Sequence, residues 1–321
     1  MSTSTRPLGH ADILARLEAS SSGRRRHHAY IFAGPDGVGK FKTAMWWAAQ
    51  IKCEQAGNCS PRCPSCKRMA ARSHPDLSLL TLGDEAKSIG IDEVRELIRR
   101  MALRPVQEGP RIAIVREAGS LTAPAQSAML KLLEEPPGDA LLVLVTDNPA
   151  GLLPTVRSRC QLLSFGRLST AELTAILEAA GRERGLAHTA AELAGGSAGR
   201  AIEMDADAIA DHEALIRSFE DLRRSDDPDL DAVVKDLAER RAKGRPALAE
   251  MLRWQMQKVE TSIMPLPEDG RFGELLAGLS PADTAALLEE AERTRRTIAA
   301  LDRSANAKLV IRDMLLPVCA R

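Results

Sequence analysis

The chain has 321 residues, with Lys+Arg and Asp+Glu both at 44 and a formal net charge of zero. That length can hold two or three domains and a substantial core, and the balanced charge argues against a protein whose own field gathers nucleic acid. Aromatics are few (Phe 5, Trp 3, Tyr 1), which leaves little for base stacking. No apolar run nears the ~20 residues of a membrane span, and the N-terminus has no apolar signal core, so a cytoplasmic protein with no membrane partner is expected.

In chain order, Ala11–Ala19 reads as a helix, and the run Arg24-Arg-Arg-His-His28 follows. That run is either a solvated loop or a contact for a phosphate backbone. Ala29–Ala33 is a short apolar strand that leads into Gly34-Pro-Asp-Gly37-Val-Gly39-Lys40-Phe41. Strand, glycine loop and helix in this order are the context of a P-loop. Gly34, Gly37 and Gly39 let backbone N–H groups turn around phosphates and Lys40 reaches for the outer ones, so ATP or ADP is a candidate ligand. The hydroxyl that should follow the lysine to hold magnesium is replaced by Phe41. Thr43 is no substitute, because two residues along a helix is about 200° of rotation. The helix continues through Trp46-Trp47 to Ile51, and adjacent helical positions diverge, so only one of the two tryptophans is expected in the core.

Four of the six cysteines, Cys53, Cys59, Cys63 and Cys66, follow at once among Gly57, Pro61 and Pro64. In a reducing compartment this density points to metal rather than disulfides. Four thiolates ending in Cys-x-x-Cys suit a closed, structural zinc site. His74 is assigned to a His74-Pro75-Asp76 turn. Leu77–Leu80 is the second strand, Asp92 or its predecessor caps a helix over 93–101, and Arg111–Val115 and Leu141–Val145 are apolar runs of the kind that become buried parallel strands. Between them Thr122 caps a helix that Pro136-Pro137 ends.

At the end of Arg111–Val115, where a P-loop ATPase keeps an Asp for magnesium, stands Arg116, with Glu117 in the place of a catalytic acid. Phe41 and Arg116 together remove both usual protein ligands of the metal, so magnesium and hydrolysis are not expected. Beyond Phe165, Ser169-Thr-Ala-Glu172 is a capping box. Gly181, Gly195, Gly196 and Gly199 divide a small helical lid. From residue 206 on, long helices are expected over 206–223, 230–242, 246–262, 281–300 and 306–318. One is striped by Leu248, Leu252, Met256 and Val259, another by Ala285, Leu288, Ala291 and Thr294.

His28-to-Pro35, the four cysteines, His74-Pro75-Asp76, Ile91-to-Arg95, Leu130-to-Pro137 and Ser158-Arg159-Cys160 occur together in this order. In this the chain resembles the delta-prime family of bacterial DNA polymerase III clamp-loader subunits, within the AAA+ group. The resemblance is dense over residues 28–166 and thin beyond. It implies an α/β AAA+ P-loop domain with a parallel five-stranded sheet and a four-cysteine zinc insert (1–166, cysteines within 53–66). An all-α lid (167–205) and an all-α collar (206–321) would follow. It implies a pentameric ring with tau/gamma and delta partners that loads the sliding clamp on primer-template DNA. Arg159 would be offered in trans to ATP on a neighbour, Arg157 being a second candidate, with Thr146 and Arg200 at the places of nucleotide sensors. Two rivals stand beside this reading: an active tau/gamma-like ATPase, and a nucleic-acid binder using the zinc module and Arg24–Arg26.

Overall fold

The structure, a computed structural model, describes residues 5–21, 26–55, 63–83, 86–212, 214, 217, 281–302 and 307–319. By its internal contacts the chain forms two units, residues 1–180 with 196–199, and residues 181–195 with 200–321.

The first unit is built on five parallel strands, β1 (Ala29–Ala33), β2 (Leu77–Leu80), β3 (Arg111–Val115), β4 (Ala140–Thr146) and β5 (Gln161–Ser164), in the order β2-β3-β4-β1-β5. The three inner strands β1, β3 and β4 are buried along their whole length, whereas the edge strands β2 and β5 are only partly so. This explains their composition: a strand covered on both faces has no polar alternation to show.

Alternate residues of the inner strands feed two cores. Ala29, Ile31, Ala113, Val115, Leu142 and Leu144 face α4 (Ile91–Met101) and α5 (Ala123–Glu134) through Val94, Leu97, Met129 and Leu133. Tyr30, Phe32, Ile112, Ile114 and Val143 face α1 (Ala11–Ser21), α2 (Lys40–Ile51) and α3 (Pro64–Ala70) through Leu14, Leu17, Ala44, Trp47 and Met69. The period of two follows from side chains alternating across a strand.

Two local expectations are corrected. Trp46 and Trp47 are both in the core, at 2% and 0% exposure. Helix α2 lies on the sheet while α1 packs over it, so it has an apolar surround rather than one apolar face. Trp47 Nε1 donates to the Leu17 carbonyl (3.0 Å) and to Ser21 Oγ (2.8 Å) of that covering helix. Asp92 does not cap α4: Gly90 is the N-cap residue, and Asp92 and Glu93 lie in the first turn, where acidic side chains favour the helix dipole. Thr122 does cap α5, accepting from the Ala125 N–H. The Ser169–Glu172 capping box is formed in full at the start of α7 (Thr170–Ala179).

In the second unit, α8 (Arg184–Leu193) comes first and α9 (Ala198–Glu203) enters from the first unit. Residues 206–212 are helical, and α10 (Pro281–Asp302) and α11 (Ala307–Cys319) pack together. The buried line of α10 runs through Glu290, Ala291, Thr294 and Thr297, not through Ala285 and Leu288, which are exposed. The Leu248–Val259 stripe and the helices expected over 230–262 lie outside the described residues. No described helix is long and apolar enough to cross a membrane.

Candidate functional site

The loop after β1 has the P-loop shape. Gly34, Gly37 and Gly39 all have positive φ, and α2 starts at Lys40. At Gly34 a side chain would run into the Phe165 backbone, and at Gly37 into Ser197 Oγ, so both positions require glycine for space as well as for conformation. The Gly34 N–H donates to the Thr146 carbonyl at 3.2 Å and the Gly37 carbonyl accepts from the Gly199 N–H at 2.9 Å. His10, which the sequence did not single out, has a positive φ and donates from Nε2 to the Val38 carbonyl at 3.0 Å. Lys40 is buried and its ammonium donates to the carbonyls of Gly34 (2.7 Å) and Pro35 (2.6 Å). Burial lowers the pKa of this amine, partly offset by the charges of Asp36 and Asp147.

The two departures from a magnesium site touch each other. The Arg116 guanidinium lies over the Phe41 ring, 4.9 Å from its centroid, and Arg72 lies over the same ring at 5.4 Å. Arg116 Nε also pairs with Glu117 Oε1 at 3.0 Å, while Glu117 Oε2 accepts from the Leu82 N–H at 3.4 Å. Phe41 packs against the core beneath α2. A phenyl ring and a guanidinium thus stand where a hydroxyl and a carboxylate would hold a cation, and Glu117 is tied to Arg116. Thr146 is buried, its Oγ1 accepting from the Asn148 N–H at 3.0 Å.

Arg159 lies between α6 (Pro154–Arg157) and β5. Gln161, the first residue of β5, is level with Tyr30 in the parallel pair, and Arg159 lies in the turn just before it. The P-loop leaves at residue 34. Four residues of strand, about 13 Å, separate the levels of Gln161 and Gly34, so Arg159 and the P-loop lie beyond opposite ends of these strands. Arg159 Nη2 pairs with Glu134 Oε1 at 2.7 Å, and Nη1 donates to the Thr155 carbonyl (3.0 Å) and to Ser158 Oγ (3.3 Å). Gln126 fixes the approach to this region. Its amide donates to the carbonyls of Leu121 and Gly151 and its Oε1 accepts from the Leu153 N–H at 2.6 Å. A glutamine three and seven residues before Met129 and Leu133, on the buried stripe of α5, was the available signal. Burial pushes the neighbouring Cys160 thiol up to about 12, which leaves it unreactive at neutral pH. Arg200 sits on α9, its Nη1 3.4 Å from the Ala194 carbonyl.

The sulfurs of Cys53, Cys63 and Cys66 lie within 4.8 Å of one another. Tetrahedral zinc with bonds of about 2.3 Å sets its sulfurs about 3.8 Å apart, so the three fit a common ion. Cys59 lies outside the described residues, as do Arg24 and Arg25. Burial opposes a Cys63 thiolate, but hydrogen bonds from the Cys66 and Glu54 N–H groups and the Cys66 and Cys53 thiols hold its pKa below the ordinary value. His74 belongs to the framework behind this cluster. Its Nδ1 accepts from the Asp76 N–H, its Nε2 donates to Gln107 Oε1 at 2.9 Å, and Ser65 Oγ stands 3.1 Å away. Ser65, on the cysteine helix α3, donates to the Lys52 carbonyl at 2.6 Å. A wholly buried Lys52–Asp76 ion pair of 2.8 Å completes the network; the His74-Pro75-Asp76 motif marked Asp76, but nothing in the sequence pointed to Lys52 as its partner.

Residues 9–169 match the family model described as DNA polymerase III, delta subunit. The chain is 39% identical over 148 residues to DNA polymerase III subunit delta' of Pseudomonas aeruginosa, covering 45% of each chain. It is 34% identical over 154 residues to subunit delta' of Bacillus subtilis, covering 48% of this chain and 46% of that one. Subunit gamma/tau of Mycobacterium tuberculosis is 34% identical over 172 residues, 53% of this chain and 30% of that one. These matches span less than half the length of each relative. A gamma subunit-related protein of Thermotoga maritima aligns over 98% of this chain and 99% of its own, at 19% identity and a TM-score of 0.44.

Proposed function

The chain belongs to the DNA polymerase III delta-subunit family, and on that premise we propose that it serves as a delta-prime-type subunit of a sliding-clamp loader. In this reading it joins tau/gamma and delta subunits in a pentameric ring that places the clamp on primer-template DNA. It turns over no ATP itself. Arg159 instead reaches ATP held by a neighbouring tau/gamma subunit.

The observation that carries this reading is the position of Arg159. An arginine beyond the end of the sheet opposite its own P-loop serves phosphates on another chain or none. The other end of the sheet agrees. Gly34, Gly37, Gly39 and Lys40 retain the means to hold nucleotide phosphates, while Phe41 and Arg116 occupy the places of the magnesium ligands. An active P-loop ATPase uses both ligands, so the same two residues speak against the rival reading of an active tau/gamma-like ATPase. Cys53, Cys63 and Cys66, with Cys59 as the fourth thiolate, would hold a zinc ion in a closed structural site. Its contribution is to order the Pro-rich insert.

The test is ATP turnover, stimulated by clamp and primed DNA, in the reconstituted ring carrying wild-type chain or Arg159→Ala, with assembly of both checked by gel filtration. An arginine supplied in trans contributes about 10³–10⁵ in rate in well-studied nucleotide hydrolases. Turnover at the adjoining site is expected to collapse with the variant. An undiminished rate in a fully assembled ring would leave the chain a scaffold only.

A further inference from the structure

Arg159 is held by three contacts of unequal kind. Those to the Thr155 carbonyl and Ser158 Oγ come from its own short helix and the turn after it, and they move with it. The third, to Glu134 Oε1 at 2.7 Å, comes from the last residue of α5, a separate element whose adjacent Leu132 and Leu133 are buried. Glu134 therefore stands on an anchored base, and Pro136-Pro137 stops the helix immediately beyond it. A guanidinium has five N–H donors. Three are taken in these contacts, which leaves two for a ligand.

We infer that Glu134 is a positioning residue that holds the Arg159 guanidinium in one orientation, so that its remaining donors meet the neighbour's phosphoryl group without a search among rotamers. The inference rests on the trans-arginine reading above. An arginine side chain has many rotamers, and fixing one of them before the reaction lowers the entropy lost in reaching the transition state. Glu134 touches no substrate and acts through Arg159 alone.

The test uses the same reconstituted ring with Glu134→Ala, Glu134→Gln, Arg159→Ala and the double variant Glu134→Ala/Arg159→Ala. Partly exposed ion pairs of this kind correspond to about a two- to fivefold effect. Glu134→Ala is expected to lower kcat by that factor with little change in KM for ATP. Glu134→Gln is expected to restore most of the rate, because its amide oxygen still accepts from Nη2. In the Arg159→Ala background, Glu134→Ala is expected to change nothing further. An unaltered or raised rate in Glu134→Ala would overturn the inference, and so would an equal loss in both backgrounds, which would mark Glu134 as packing for α5. A ring indifferent to Arg159→Ala would instead remove the trans-arginine reading itself.

Discussion

All three ammonium protons of Lys52 are engaged, by Asp76 Oδ2 at 2.8 Å and the carbonyls of Gln107 and Glu108 at 3.2 and 3.3 Å. Asp76 in turn accepts from the N–H groups of Val106 and Gln107. Breaking a buried pair by removing one partner leaves an uncompensated charge and costs about 3–5 kcal/mol. Asp76→Asn is expected to lower the stability of the first unit by that amount in chemical denaturation. Burial works against the ionised Asp76, but the Lys52 hydrogen bond and the two backbone donors outweigh it and hold its pKa below the ordinary value. The folded state thus binds fewer protons at this site than the unfolded chain. The contribution is complete above the unfolded pKa of about 3.9 and is lost as pH falls through the folded value. Asp76→Asn should therefore flatten the wild-type loss of stability below about pH 4. A denaturation series unchanged in that window would show that the pair contributes nothing there. The sequence marked Asp76 in its His74-Pro75-Asp76 motif but not its pairing, because Lys52 is distant in the chain and neither residue lies in a periodic pattern. Phe41 and Arg116 were each legible as departures from a pattern, but their stacking needed the sheet to bring them together.

At the scale of elements, a seven-residue helix such as α3 is too short to persist alone in water. It is held by Met69 in the core, by Ser65 on the Lys52 carbonyl, and by the two cysteines Cys63 and Cys66 at its start. Stripping metal with a chelator is expected to raise amide hydrogen exchange over the described residues 53–55 and 63–70, while β1, β3 and β4 keep their protection. Exchange unaltered by the chelator would show that the polar network alone holds the module. The inner strands were legible because double burial leaves an unbroken apolar run. Strand β5 shows only as a short apolar run after Ser158-Arg159-Cys160 with no clear bounds, since Gln161, Leu162 and Ser164 are exposed at the sheet's edge. The error at Trp46 and Trp47 has the same origin: periodicity assumes one wet face, and α2 has none. On α10 the expected stripe holds at Ala291 and Thr294 but not at Ala285 and Leu288, because the buried line continues through the polar Glu290 and Thr297, with Thr294 Oγ1 donating to the Glu290 carbonyl.

At the scale of the molecule, the strand order decides what each motif can do. The sequence does not say that β1 lies between β4 and β5, and because those strands run parallel, Arg159 before β5 and Lys40 after β1 fall at opposite ends of the sheet. The two residues should accordingly act independently in the isolated chain. Calorimetry is expected to give the same ATP affinity for wild type and Arg159→Ala and a weaker one for Lys40→Ala. A loss of affinity with Arg159→Ala would mean that the arginine reaches its own site. The enclosure of α2 reaches beyond stability. Seven consecutive residues, Thr43 to Ala49, are buried, so this segment offers no side on which substitutions accumulate harmlessly. Ala44, Ala48 and Ala49 are bounded in size, since added methylenes in a filled core cost about 1–3 kcal/mol. The tryptophans are bounded from below by the cavities they would leave. In a lineage of such chains this segment can drift only by paired, volume-preserving exchanges with α1 and the sheet.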